Sequence, residues 1–193
     1  MRRWVDIGLM VLAAAVFALW LFFPLAALAV TDEEAQLQDA YRTGRIIRLH
    51  VVAHSDDPAD QQLKLAVRDA VIARFGQMLS TIGQQDFVSA NDLLRKNLMQ
   101  IQHTAESCAR RHGFAGDVRA EAGLMHLPEK RYGSVTLPAG EYHALRITIG
   151  EGKGQNWWCV LYPQLCLALG QEDSAEMTWH SRRIWRQWLA LPV

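Results

Sequence analysis

Hydrophobic positions divide the chain into three regimes. The run from Ile7 to Val30, IGLMVLAAAVFALWLFFPLAALAV, carries no charge and is followed at once by Asp32-Glu33-Glu34. From Arg45 to Gly113 a short β-branched run gives way to apolar residues at helical spacing. From Asp117 onward the period shortens towards two. Ile46, Ile47, Leu49, Val51 and Val52 predict a strand that ends in a loop at His54-Ser55-Asp56. Asp57 and Pro58 then predict a helix start, because the aspartate caps free N–H groups and proline has no N–H to waste at the first helical position. Asp60 suits the positive end of its dipole. Leu63, Val67, Ala70, Val71, Phe75 and Met78 carry that helix to about Leu79.

A second helix is expected from Ser89, where Ser-x-x-Asp with Asp92 resembles a capping box; its stripe is Leu94, Leu98, Ile101, Ala105 and Cys108, and Gly113 stops it. Asp117 to His126, Glu141 to Ile149 and Trp157 to Tyr162 read as strands, separated by Pro128, Gly133, Pro138-Ala139-Gly140 and a glycine-rich turn. The near-alternation around Tyr142, Ile147 and Ile149 leaves one sheet face packed and the other open to water. The expected fold is α+β: a two-layer domain with two helices packed on a mainly antiparallel sheet, behind an N-terminal membrane or signal segment. The expected organisation is a signal segment over 1–30, a linker or weak helix over 31–44, the folded domain over 45–170 and a helical tail over 171–193.

The apolar run decides the expected compartment. Arg2 and Arg3 precede it and Ala27-Leu28-Ala29 ends it, the pattern of a secretory signal with a small-residue cleavage site. At about 1.5 Å per residue it is also long enough to cross a ~30 Å hydrocarbon core as an uncleaved anchor. Either form delivers residue 31 onward outside the cytoplasm, because the arginines stay on the inner side.

Composition removes other classes. Twenty Lys and Arg balance twenty Asp and Glu among 193 residues, so the concentrated basic charge of a nucleic-acid binder is missing. Half the residues are hydrophobic, which excludes a disordered chain, and three cysteines are too few for a disulfide-framework fold.

Several residues suggest chemistry that their spacing does not support. His54-Ser55-Asp56 has the letters of a hydrolase triad, but consecutive residues cannot set an imidazole between a hydroxyl and a carboxylate. His50 and His54 share a strand face without a Cys, Asp or Glu at metal-ligand spacing. Gly150, Gly152 and Gly154 around Lys153 lack the Ser or Thr and the helix of a phosphate loop, and read instead as a hairpin turn with glycines at positive φ. Cys159 and Cys166 bracket the Tyr162-Pro163 bend and are candidates for a disulfide outside the cytoplasm; Cys108 reads as a buried small hydrophobe.

Two longer stretches carry the strongest signal: IIRLHVVAHSDDPADQQLKLAVRDAV from Ile46 to Val71, and LPAGEYHALRITIGEGKGQNWWCVLYPQLCL from Leu137 to Leu167. Together, in this order behind a membrane signal, they closely resemble the stage II sporulation protein R family. The family usually has Asn-Ser-Asp where this chain has His54-Ser55-Asp56, and the resemblance is not followed into the tail after Leu167. The resemblance implies a signalling protein exported from the forespore into the space between two membranes. There it stimulates a membrane-embedded aspartic protease of the mother cell, which processes a sigma-factor precursor.

That role implies a protein partner and the membrane reached through the N-terminal segment, with no enzyme activity, cofactor, metal, nucleic acid or small-molecule substrate. Trp157 and Trp158, adjacent in a strand, point to opposite faces, so either one anchors the core and the other faces the partner, with Gly152, Lys153 and Asn156 beside it, or both indoles are buried under the helices and loops. The competing expectation is an exported cell-wall hydrolase using Glu121, Glu141 or Glu151 as acid and base. In the tail, Trp179, Trp185 and Trp188 with Arg182, Arg183 and Arg186 fit either a helix docked on the sheet or one lying on a membrane surface.

Overall fold

A computed structural model describes residues 32–79, 86–163 and 165–166. The apolar segment 7–30 and the Trp/Arg-rich tail, with the expectations attached to them, lie outside the described residues. Among the described residues no helix is long and apolar enough to cross a membrane.

The order of elements is α1 (Asp32–Arg42), β1 (Ile47–Val52), α2 (Pro58–Leu79), α3 (Phe87–Lys96), α4 (Leu98–Arg111), β2 (Val118–Leu127), β3 (Lys130–Tyr132), β4 (Val135–Leu137), β5 (Gly140–Ile149) and β6 (Asn156–Tyr162). This is an α+β fold. The four-stranded sheet runs β2-β5-β1-β6, and β3 pairs with β4 as a separate hairpin.

The sheet is mixed, which corrects the mainly antiparallel expectation at its centre. β2 and β6 run antiparallel to their neighbours, but β1 and β5 lie parallel, with Ile47 opposite His143 and Val52 opposite Thr148. Alternation within a strand cannot reveal this, since it reports faces and not neighbours. Parallel neighbours need a long crossover, here everything from α2 to β4.

The second predicted helix is two helices. Asn97 breaks it at φ −107° and ψ 11°, its side-chain amide donating to Leu93 O at 2.8 Å. The cap is Asp86, whose carboxylate accepts the N–H of Ser89, and not Ser89 itself. The apolar stripe survives the break: Leu94, Ile101, Ala105 and Cys108 are all buried.

Both sheet faces carry a core. On the first, Leu49, Val51, Leu145, Ile147, Trp157 and Cys159 pack against α2, α3 and α4 through Val67, Val71, Phe75, Leu94 and Ile101. On the second, Leu37 and Ala40 of α1 and Leu127, Tyr132 and Leu137 around the hairpin cover Tyr142, Ala144, Trp158 and Val160. The face expected to be wet is therefore covered at one end. Residues 32–42, ambiguous in sequence, form a helix because Leu37 and Ala40 have apolar surface to bury there, on the order of 25 cal/mol per Å². Glu34 pins that helix to the hairpin by accepting the Ser134 N–H at 2.6 Å.

Candidate functional site

The connection from β5 to β6 is not a hairpin, because β1 lies between those two strands. The glycine-rich segment must pass over the end of β1, where the His54–Asp57 loop leaves the sheet. The two loops lock together there. Lys153 N–H donates to His54 O and Gly154 N–H to Ala53 O, each at 3.1 Å. Glu151 N–H donates to His54 Nδ1 at 3.0 Å, and Gln155 N–H to Asp56 Oδ1 at 2.7 Å.

Space is as tight as the hydrogen bonding. A Cβ on Gly154 would stand 2.1 Å from Ser55 O, a backbone atom that cannot swing aside. Gly150 and Gly152 sit at φ 56° and 63°, conformations that glycine adopts without strain. The expectation of positive-φ glycines thus holds at Gly150 and Gly152 but not at Gly154, and the hairpin does not form.

The triad letters serve the fold. Ser55 Oγ donates to Asp60 Oδ2 at 2.6 Å and accepts Asp57 N–H at 3.1 Å, while Asp57 accepts Ala59 N–H at 3.1 Å, which caps α2. Lys64, on the next turn, reaches across: its ammonium donates to Gln61 Oε1 at 2.6 Å and to Gln155 O at 3.1 Å. Burial, and then the charge of Arg68, lower its pKa.

The residues expected to meet a partner separate into two groups. Gly152, half-buried, and Lys153, exposed, form the crest of the locked loops, with Lys153 Nζ 2.7 Å from Glu151 Oε2. That ion pair holds the Glu151 carboxyl below its ordinary range and raises the lysine. Asn156 is exposed at the start of β6. Trp157 and Trp158 do point to opposite faces, but each is only 4% exposed, so of the two alternatives the burial of both indoles holds and neither is a free anchor. Each indole is held by a basic side chain, since Trp157 lies under the Arg68 guanidinium at 4.3 Å and Trp158 stacks on His50 with ring centroids 3.7 Å apart.

The segments that interlock here are the two stretches that carried the family resemblance, and a comparison with family models agrees. Residues 43–172 match the model described as Stage II sporulation protein R (spore_II_R). The chain belongs to the stage II sporulation protein R family. It is 35% identical over 136 residues to "Stage II sporulation protein R" of Bacillus subtilis (strain 168), an alignment covering 70% of this chain. The chain spans 60% of the length of that relative. No solved structure gives a significant match.

His54 Nδ1 fills an acceptor position under the Glu151 N–H that an asparagine carbonyl oxygen can also fill. Cys159 and Cys166 form a disulfide with Cα atoms 4.9 Å apart, and Cys108 is a free, buried thiol whose pKa burial raises.

Sequence reasoning missed the most unusual residues of the second face. Arg48 is fully buried and makes no ion pair with a carboxylate among the described residues. Its guanidinium donates to Pro128 O at 3.2 Å and Tyr132 Oη at 3.4 Å, and lies 4.8 Å from the Tyr142 ring and 5.3 Å from the Trp158 ring. His50, two residues on, is 9% exposed, and neither ring nitrogen has a well-aligned hydrogen bond among the described residues, although the Asn156 side chain approaches it. The signal was present: Arg48 and His50 alternate with Ile47, Leu49 and Val51, which places both on the face opposite the helices.

Proposed function

We propose that this chain is an exported signalling protein of endospore formation that activates a membrane-embedded aspartic protease, which then processes a sigma-factor precursor. The observation that carries the reading is the family match over residues 43–172, whose two motif stretches form one locked surface. The disulfide supports export, because such bonds persist in oxidising compartments and are rare in the cytosol. The Gly152–Lys153 crest and Asn156 are the proposed contact, rigid because His54, Asp56 and Ser55 fix them from below. A pre-ordered patch loses little entropy on binding.

The hydrolase reading has little support. Glu141 and Glu151 lie at opposite ends of the ten-residue β5, about 30 Å apart at ~3.3 Å per residue, whereas glycosidase carboxylates lie about 5–10 Å apart. Glu121, opposite Arg146 in mid-strand, is about 15 Å from either. A general acid also needs a raised pKa, and that of Glu151 is lowered.

The test is co-expression of this chain, the cognate protease and its precursor. Processing is expected with the full chain, and is expected to fail when residues 1–30 are deleted. Processing by that cytoplasmic form would refute export as a requirement, and peptidoglycan cleavage by the purified chain would favour the hydrolase.

A further inference from the structure

We propose that β2 is a pairing edge for a second copy of this chain, the two strands running antiparallel about a twofold axis beside Gly123. The two edges of the sheet differ. At β6 the Cys159–Cys166 disulfide holds Cys166 against the strand, and Leu165 N–H donates to Val160 O at 3.2 Å. Among the described residues β2 is capped at one outward group alone, the Ala120 N–H that Gln102 Oε1 accepts. It pairs with β5 over ten residues without a bulge and contains neither proline nor lysine, devices that usually blunt an edge.

Two hydrogen bonds fix which groups face outward. Gly150 N–H donates inward to Asp117 O at 2.7 Å, while Ala120 N–H points away and meets Gln102 Oε1 at 3.2 Å. Because alternate residues of an antiparallel strand face opposite sides, Ala122, Leu124 and His126 also present N–H and C=O outward, with no hydrogen-bond partner on that side among the described residues. Leu124 is 63% exposed, since the helical layer packs on Val118, Ala120 and Ala122 and stops short of it.

Gly123 points the same way. It has no positive φ, and a Cβ added there would meet nothing within 4 Å. Packing within one chain gives no reason for glycine, which weakens a strand interior and often marks the close approach of another backbone.

A register centred on Gly123 fits these observations, with the Ala120 N–H exchanging Gln102 Oε1 for the carbonyl oxygen of His126 in the second copy. Gly123 faces Gly123 of the second copy as a non-hydrogen-bonded pair, the arrangement in which Cα atoms come closest, about 4.5 Å. Ala122 faces Leu124, Glu121 faces Met125 and Arg119 faces Leu127, so no like charges oppose. The helix-covered half of each strand meets the bare half of the other, and the two Leu124 side chains meet on the diagonal. This fit of the strand to itself favours a second copy over a strand from another protein.

The experiment places single cysteines in the full chain, solubilised in detergent and mildly oxidised. G123C is expected to give a covalent dimer linked through residue 123, as mapped by mass spectrometry, because ~4.5 Å lies within the Cα range of disulfides. R119C is expected to remain uncrosslinked, since the two copies of residue 119 stand about 26 Å apart. Adding Leu124→Lys to G123C is expected to cut the dimer yield about tenfold without changing the melting curve, because the side chain is exposed in the single chain. Equal crosslinking of G123C and R119C, crosslinking of neither, or capture of a different polypeptide by G123C overturns the proposal.

Discussion

His50 makes stability depend on pH in a direction set by its burial. Desolvation is the main cause that lowers its pKa from 6.5 to about 4; the Asn156 side chain opposes it, and the nearby cations Arg146, Arg48 and Lys130 add to the lowering. The neutral ring is therefore the folded form. Between pH 6.5 and 4 the unfolded chain binds a proton that the folded chain does not, so stability is full above pH 6.5 and falls as pH drops through that window. At 1.36 kcal/mol per unit, the loss from this residue is about 2 kcal/mol between pH 7 and pH 5, approaching about 3 kcal/mol below pH 4. Carboxylates titrate nearby in pH, so the assay compares urea unfolding of the parent with His50→Phe, at intervals from pH 7.5 to 4.5. Phenylalanine retains the stack on Trp158 and removes only ring nitrogens that lack well-aligned partners. The variant is expected to match the parent within about 1 kcal/mol at pH 7 and to exceed it by about 2 kcal/mol at pH 5. Parallel stability curves for the two proteins would refute the reasoning.

Gly154→Ala is expected to cost about 2–3 kcal/mol in chemical denaturation, because its methyl group must push the hydrogen-bonded loops away from each other, while Gly76→Ala, in open space on α2, gains about 0.5–1 kcal/mol. His54→Asn is expected to retain both stability and precursor processing, whereas His54→Ala loses about 1 kcal/mol by leaving the Glu151 N–H without its acceptor. Replacing Cys159 and Cys166 together by alanine is expected to lower stability by about 2–3 kcal/mol for this short loop, and non-reducing peptide mapping of the exported parent should find the pair linked and Cys108 free.

The residues that announced themselves in the sequence did so through local physics. Asp57-Pro58 starts α2 because a cap and an N–H-free first residue act within one turn, and the stripe from Leu94 to Cys108 is buried because helical spacing survives the small break at Asn97. What the sequence left hidden depends on which strands become neighbours. Tyr142 and Ile149 bury on opposite faces whether β5 pairs with β1 in parallel or with β6 as a hairpin, so alternation could not separate the two. α1 and the β3–β4 hairpin are short and weakly patterned, and they are stabilised by the second sheet face that they cover, a surface that exists only after the strands assemble.

The same distinction explains the site. Glycine spacing and the Ser-Asp-Asp run indicated tight turns but not that the two turns touch, because contact follows from β1 lying between β5 and β6. Burial of both indoles had a readable cause as well: an exposed tryptophan on an outer strand needs an uncovered face, and α1 with the hairpin removes much of it. The proposed contact is then the crest, where Lys153 is exposed on a backbone that Gly152 and the loop below hold fixed, while Trp157 and Trp158 hold the strand behind it from opposite sides. On this argument Trp158→Phe should weaken activation only as far as it weakens folding, whereas Lys153→Glu should weaken activation with the melting temperature unchanged, since its side chain is 76% exposed. Measuring processing and melting for both variants separates anchoring from contact, and loss of stability in Lys153→Glu or its full activity would remove the crest as the contact surface.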